Sequence, residues 1–334
     1  MKQYELPNTL GPKTVKELEE ETRFIKGKRK ISEFVTAITG RKEIPLKFEY
    51  LGEGADRYEK VLGDEGYSDA FNEAETIKAL SKSIISATWR TKANLVYVGC
   101  GNGLKALPLL KEFGKTHNPL NYALLDISPA MLLKAYKNTR RQYSAPIIIR
   151  CFEWDFEEGN FAYVTDYLKK NGDPLNIILF LGNTIGNLSD RARILANFRE
   201  SMSFNDYLLV TFHMVPRNPE DAVRVYSSSA ITSWLTTALD NIGIDPGAGT
   251  IKVSYDKKRQ QVEFQFHIVR DVSGSLDDRE VNLHKGQKVL LATSHKFSRS
   301  EIRSLLNVAG FKIKWFHLSK GSTMANVLCQ PKQL

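Results

Sequence analysis

The stretch NLVYVGCGNGLKALPLL, Asn94–Leu110, decides the fold of this 334-residue chain. LVYV is short, valine-rich and apolar without interruption, which is how a strand buried on both faces reads. Glycines follow at Gly99, Gly101 and Gly103, and then Leu104, Leu107, Leu110 and Phe113 recur at helical spacing. Strand, glycine turn and helix follow one another without a spare residue. Glycines in such a turn let the backbone bend sharply and meet a ligand with no side chain between. The third glycine is not spaced as in the dinucleotide fingerprint GxGxxG, so the loop alone fits several nucleotide-binding folds, or a plain tight turn.

The same theme repeats outward from this stretch. NYALLDIS (Asn121–Ser128), PIIIRCFEWDF (Pro146–Phe156), LNIILFLG (Leu175–Gly182) and DYLLVTFHM (Asp206–Met214) read as further buried strands. Helical spacing lies between them, as in Met131, Leu132, Ala135 and Tyr136. Five such units predict an α/β, doubly wound parallel sheet, with ligands at the carboxyl ends of its strands. Beyond Pro216 the rhythm changes. VEFQFHIV (Val262–Val269) alternates strictly and pairs with IKVSY (Ile251–Tyr255) through the loop DKKRQQ, an antiparallel hairpin. QKVLLATSHKF ends as a strand near Phe297, a helix from Glu301 stops at Gly310, and KIKWFHL and TMANVLCQ close the chain as two strands at the far edge of the sheet. The expected division is an N-terminal helical segment over 1–60, a cofactor-binding core over 61–215, a second, smaller α+β domain inserted over 216–298, and a helix and hairpin over 299–334 that complete the core sheet. The N-terminal segment is expected to pack with the insertion.

Composition narrows the class. The chain is 42% hydrophobic and 25% charged, with no apolar run approaching the roughly 18 residues of a membrane helix. MKQYELPNTLGPK lacks the apolar core of a signal peptide, so a cytoplasmic protein with no membrane partner is expected. Cys100, Cys151 and Cys329 are odd in number and scattered, which fits a reducing compartment, and with the six histidines they form no metal-ligand spacing. The net charge of +9 is densest at KGKRK (Lys26–Lys30), with a further pair at Lys257–Lys258. Solvated faces and a hairpin loop explain these runs, and no RNA-binding signature or aromatic platform accompanies them, so nucleic acid is an unlikely partner.

Successive strand ends carry the chemistry. Asp126 ends the second strand about 25 residues after the glycines, where a carboxylate accepts hydrogen bonds from ribose hydroxyls. Glu153-Trp154-Asp155-Phe156 ends the third, and an acid beside an aromatic suits an adenine amino group and ring face. Together they resemble the class I S-adenosylmethionine (SAM) methyltransferases. An acidic residue commonly precedes the first glycine by two in that class. Tyr97 stands there, so the amino-acid end of the cofactor needs another anchor.

The fourth strand ends in FLGNTIGN, Phe180–Asn187, which resembles the F-x-G-[SG]-T-I-G-N signature of the histidine-specific methyltransferase family. That family includes the ergothioneine-pathway histidine trimethylase and fungal N-methyltransferases acting on prenylated tryptophan. KFEYLGEG (Lys47–Gly54) is similar to its K-x-x-Y-x-x-x-G segment, Gly99 to Lys105 to its G-x-G-x-x-x-K loop, and TSHKF (Thr293–Phe297) to its S-x-K-[FY] segment. The resemblance spans about residues 44–330 and is weak between Arg217 and Lys285. It implies SAM as cofactor, held by Gly99, Gly101, Gly103, Lys105, Asp126, Asp155 and Phe156. It implies a small-molecule amine as acceptor, with Asn187 and Tyr226 on its carboxylate, Tyr50 on its amine and Ser294 at its side chain. Tyr50 and Asn187 are then the residues at the reacting nitrogen.

Three departures bear on substrate. Histidine enzymes of the family carry a glutamate two residues before the late serine, where Ala292 stands; the tryptophan-type members carry a small residue there. Losing a carboxylate that hydrogen-bonds imidazole costs selectivity heavily, so histidine is not the expected acceptor. Asn183 replaces the usual Ser or Gly, and Ser227-Ser228 replace a polar pair. The leading expectation is an N-methyltransferase of a small amine, an amino acid or a metabolite derived from one, with an aromatic or apolar side chain. The rivals are an RNA or protein methyltransferase using the basic surface, which requires a basic strip toward Asn187, and a SAM-binding protein without catalysis.

Overall fold

The computed structural model of the chain describes residues 11–20, 25, 27–70, 73–88, 93–115, 120–170 and 175–333. Lys26 and residues 1–10, at the start of MKQYELPNTLGPK, lie outside them. From Asn94 the strands β1 (Asn94–Val98), β2 (Leu120–Asp126), β3 (Ile147–Glu153), β4 (Asn176–Phe180) and β5 (Tyr207–His213) pair in parallel. Five more strands precede the return to this sheet: β6 (Gly249–Asp256), β7 (Gln261–Ile268), β8 (Val272–Leu276), β9 (Arg279–Leu283) and β10 (Lys288–His295). The hairpin of β11 (Phe311–Leu318) and β12 (Met324–Pro331) then docks antiparallel on β5 through β12. The sheet order is β11-β12-β5-β4-β1-β2-β3, the doubly wound arrangement with its terminal hairpin at the far edge.

Burial explains the unbroken apolar runs. In β1, Leu95 and Tyr97 enter one core while Val96 and Val98 enter the other; in β4, Ile177 and Leu179 oppose Ile178 and Phe180. A strand covered on both faces needs no polar alternation. Helix starts are chemically marked. Ser128 accepts a hydrogen bond from Met131 N ahead of the helix Pro129–Gln142, and Ser298 with Glu301 forms a capping box on Arg299–Val308. Strand order reverses between β1 and β4, which opens a crevice at their carboxyl ends.

The second sheet has the order β10-β7-β6. Val262, Phe264, Phe266 and Ile268 of β7 point into a third core that also takes Phe34 and Phe48 from the N-terminal segment and Trp234. That segment is stitched to both parts: Ile44 N donates to Leu290 O at 2.9 Å, Leu290 N to Lys42 O at 2.8 Å, and Lys13 N to Cys151 O at 2.7 Å. Sequence reading missed the β8–β9 hairpin and the short helices Pro219–Tyr226, Ser229–Trp234 and Thr237–Asn241. The hairpin strands are mostly exposed and polar, and the helices span few turns, so neither leaves a clear periodic signal. No helix among the described residues is long and apolar enough to cross a membrane.

Candidate active site

The carboxyl ends of the central strands open into a cavity of about 490 Å³. A smaller chamber of about 60 Å³ adjoins it beneath Trp234 and Phe264. Tyr50, Tyr58, Lys105, Thr184, Asn187 and Ala292 line both and so form the passage between them. Gly99, Gly101, Asp126, Asp155 and Phe156 line only the larger space, Tyr226 and Ser294 only the smaller. Of the expected site residues, Gly103 alone lines neither. A Cβ there would lie 3.1 Å from Ala135, so the third glycine serves the packing of the loop on the helix behind it.

Asp126 is buried at the end of β2, and its two oxygens accept from the amides of Gly101 (2.9 Å) and Ser128 (3.0 Å). Burial raises its pKa to about 6 against the pull of those amides. At the third strand end, Glu153 turns away to Lys13 and Lys30, at 3.7 and 3.8 Å. Asp155 faces the cavity, but Lys47 Nζ donates to its Oδ2 at 2.8 Å and Glu157 N to its Oδ1 at 3.0 Å. Lys47 also pairs with Glu33 at 2.9 Å, and these partners hold its pKa up although burial pulls it down. Glu157, on the same wall, is pushed up to about 7 by burial, with Lys47 acting against the shift. Phe156 packs edge-on against Phe180, with ring centroids 5.4 Å apart.

The motif residues of the passage each have a mechanical reason. Trp234 Nε1 donates to Glu49 O and Ala238 N to Glu49 Oε2, both at 2.9 Å, which locks the 3-10 turn Leu46–Tyr50. Only glycine fits at Gly54, because a Cβ would stand 1.9 Å from Glu49 O. Tyr50 is thereby set edge-on to Tyr58 (4.9 Å) and tilted on Trp234 (5.0 Å). In FLGNTIGN, Asn183 is a clamp. Its Nδ2 donates to Ser294 Oγ (3.1 Å) and His295 O (3.2 Å), and its Oδ1 accepts from His213 N (3.0 Å). The clamp joins the ends of β4, β5 and β10 and lies over Gly186, where a Cβ would be 2.3 Å from it. Thr184 and Asn187 are left facing the cavities. Ser227 and Ser228 are turned to local backbone, Ser227 to Val223 O and Ser228 as cap of the helix Ser229–Trp234.

A buried polar chain runs behind the passage. Lys105 Nζ lies 2.5 Å from Glu73 Oε2, and Glu73 Oε1 lies 3.0 Å from His213 Nε2. Burial raises the Glu73 pKa, but Lys105 and His213 outweigh it and bring it to about 2. His213 is pushed down to about 4 by burial and is neutral, so its Nε2–H donates to the ionised Glu73. Its Nδ1 lies 3.5 Å from the Tyr226 hydroxyl, which accepts from Lys296 Nζ at 2.8 Å. Sequence reasoning missed Glu73, His213 and Lys296. His213 ends β5 and Lys296 sits inside TSHKF, so both could have been noticed there; an acid on the helix Glu73–Thr88 carries no such signal. No group of three or more potential metal ligands occurs among the described residues.

The family model described as histidine-specific methyltransferase, SAM-dependent, matches residues 30–331. The N-methyltransferase imqF of Aspergillus flavus is 22% identical over 293 residues, covering 81% of this chain and 76% of that protein. The histidine N-alpha-methyltransferase of Mycolicibacterium smegmatis is 24% identical over 285 residues, covering 81% and 85%. Among solved structures, a magnesium protoporphyrin IX methyltransferase from Synechocystis with bound SAH covers 90% of this chain and 99% of its own, with a TM-score of 0.44 at 12% identity.

Proposed function

The chain belongs to the family of histidine-specific, SAM-dependent methyltransferases, and on that premise we propose that it methylates the amine of an amino acid, or of a close derivative, whose side chain is aromatic or apolar. Its class of activity is SAM-dependent N-methyl transfer. SAM brings a methyl group on a cationic sulfur, from which the lone pair of an amine displaces the thioether in line. The larger cavity suits that cofactor. Asp126 keeps lone pairs for ribose hydroxyls beside its two amide contacts, Phe156 offers an aromatic edge, and Lys105 offers a cation for the amino-acid carboxylate.

The acceptor enters the smaller chamber. Asn187 can donate two hydrogen bonds to a carboxylate without placing charge near the sulfonium, and among the described residues its amide has no protein partner. Tyr50 stays a neutral phenol, since burial foremost and the Tyr58 hydroxyl beside it push its pKa up, and its oxygen can orient an amine. Alignment of donor and acceptor supplies most of what such a displacement needs.

One observation carries the choice of side chain: no described residue lining the smaller chamber is acidic, while Trp234, Phe264, Ile231, Leu235 and Ala292 do line it. An imidazole would find no carboxylate there. Similar identities to a histidine enzyme and to a fungal N-methyltransferase do not decide the matter, so the pocket must. The small chamber also favours a small molecule over RNA or protein, as does the pairing of Arg29 with Glu158 (3.6 Å) and of Lys30 with Glu153.

Two substitutions test this reading. Asn187→Ala is expected to leave the SAM Kd within about twofold while lowering kcat/KM for the acceptor roughly 10- to 100-fold, the worth of a hydrogen bond to a charged group. Turnover at the wild-type level would place the acceptor elsewhere. Ala292→Glu is expected to cut kcat/KM for an apolar acceptor at least about tenfold by burying a carboxylate against it, and to bring histidine closer to it. Equal methylation of the apolar acceptor by both proteins would remove Ala292 from the pocket assignment.

A further inference from the structure

Five cations line the larger cavity: Arg41, Lys47, Lys105, Arg191 and Arg259. Four of them face a carboxylate: Arg41 that of Glu43, Lys47 those of Glu33 and Asp155, Lys105 that of Glu73, and Arg259 that of Glu263. Arg191 pairs with no carboxylate among the described residues. Its Nη2 reaches Gly186 O at 3.5 Å, and its buried Nε has no hydrogen-bond partner among them. Glu301 is the acid whose charge it feels, yet Glu301 Oε1 lies 2.7 Å from His295 Nε2 and its Oε2 belongs to the cap at Ser298.

A buried N–H of a charged group that lacks an acceptor costs free energy, so the position calls for one. Phe297, itself buried, lies with its ring 5.7 Å from the guanidinium carbon and restrains the side chain there. Arg191 follows Asn187 by four residues, at the start of the helix Arg191–Glu200. Asn187, Leu188, Ser189 and Arg191 all line the larger cavity, and of these Asn187 alone also lines the smaller chamber. This wall leads from the acceptor passage to the guanidinium, and none of the residues expected to hold SAM lies on it.

We propose that Arg191 binds a distal oxyanion of the acceptor, so that the substrate is an apolar amino acid lengthened at its carboxyl end, a dipeptide or a comparable conjugate ending in carboxylate or phosphate. This rests on the preceding reading that an amine lies between Tyr50 and Asn187 with its side chain in the smaller chamber. The planar guanidinium fork matches the paired oxygens of either terminal group. Asn187 suits a lengthened acceptor as well as a free carboxylate, because its side-chain amide can donate to a peptide carbonyl and accept from a peptide N–H. Each added residue carries the terminal group roughly 3.5 Å farther along the wall. A plain amino acid held at Asn187 leaves Arg191 without a counter-charge, whereas a lengthened one supplies it.

The test uses the whole chain, loaded with S-adenosylhomocysteine for binding and with SAM for turnover. The probes are L-phenylalanine, L-phenylalanyl-glycine, L-phenylalanyl-β-alanine, the terminal amides of the two dipeptides, and L-phenylalanine joined through an amide to phosphoethanolamine. At least one lengthened acid is expected to exceed both its own uncharged counterpart and free phenylalanine about 10- to 100-fold in kcat/KM, the worth of hydrogen bonds to a charged group. The carboxylate and phosphate arms show which oxyanion the site takes. Arg191→Met should bring that acid down to its amide mainly through KM, with the S-adenosylhomocysteine Kd within about twofold of wild type. Arg191→Lys, which keeps the charge and loses the fork, should fall between the two, and it serves alone if Arg191→Met does not fold. Amides handled as well as acids, or free phenylalanine preferred to every lengthened form, would overturn the proposal and leave the amine reading intact. So would an acid preference that survives undiminished in the variants, or a weakened cofactor Kd in Arg191→Met, which would give the guanidinium to SAM. Absence of methyl transfer to any amine would instead defeat the reading of the site as an amine pocket.

Discussion

Glu73→Ala is expected to destabilise the fold by about 3–5 kcal/mol at pH 7, because it leaves Lys105 without its buried carboxylate and His213 without its acceptor. Denaturant unfolding measures it directly, and a loss below about 1 kcal/mol would show that the chain behind the passage is not held by this carboxylate. The acid limb carries a second signature. A carboxyl whose folded pKa is about 2, against 4.5 ordinarily, contributes stability that is complete above pH 4.5 and is lost as pH falls toward 2, roughly 3 kcal/mol in all. The neutral His213, with a folded pKa of about 4 against 6.5, adds a loss of the same sign between pH 6.5 and 4. Removing Glu73 should flatten the limb below pH 4.5. The same substitution should weaken SAM binding, since Lys105 would no longer be held at the passage.

Asp126→Ala is expected to raise the SAM Kd about 10- to 100-fold, the 1–3 kcal/mol of hydrogen bonds made by a buried carboxylate. Isothermal calorimetry reads it, and an unchanged Kd would remove Asp126 from the cofactor site. Melting of the unliganded variant separates this from loss of the Gly101 and Ser128 amide contacts. The pH dependence gives an independent check. Burial holds the Asp126 pKa at about 6, and ribose hydroxyls donate best to the ionised form. SAM affinity should fall by up to about tenfold per unit as pH drops below 6, and binding near pH 6 should release a proton. The alanine variant should show neither effect.

Sheet topology was legible because the strands announce themselves twice. Leu95, Val96, Tyr97 and Val98 are all apolar because both faces are covered, and the glycines after them require a turn. Strict alternation in β7 was equally plain, since Val262, Phe264, Phe266 and Ile268 share one covered face. The candidate site was legible where chain-local motifs build it, in that Tyr50, Asn187 and Asp126 line one pair of adjoining cavities. What escaped is what depends on contact between distant segments. Glu73 reaches Lys105 and His213 from a helix whose sequence has only ordinary acids, and the task of Lys47 is visible only once Asp155 and Glu33 stand beside it. Gly103 lies outside both cavities, and its spacing in the sequence did not reveal the close approach to Ala135.

Incubation with methyl-labelled SAM and a panel of amines that includes L-histidine, L-tryptophan, other apolar amino acids and their amides tests most directly whether a carboxylate-bearing amine meets the methyl group between Tyr50 and Asn187. The expected result is label on the amine nitrogen of an aromatic or apolar amino acid or a close derivative, with histidine slower and the transfer lost in Asn187→Ala. Label carried mainly to histidine, to RNA or to protein, or transfer that Asn187→Ala leaves untouched, would contradict the account.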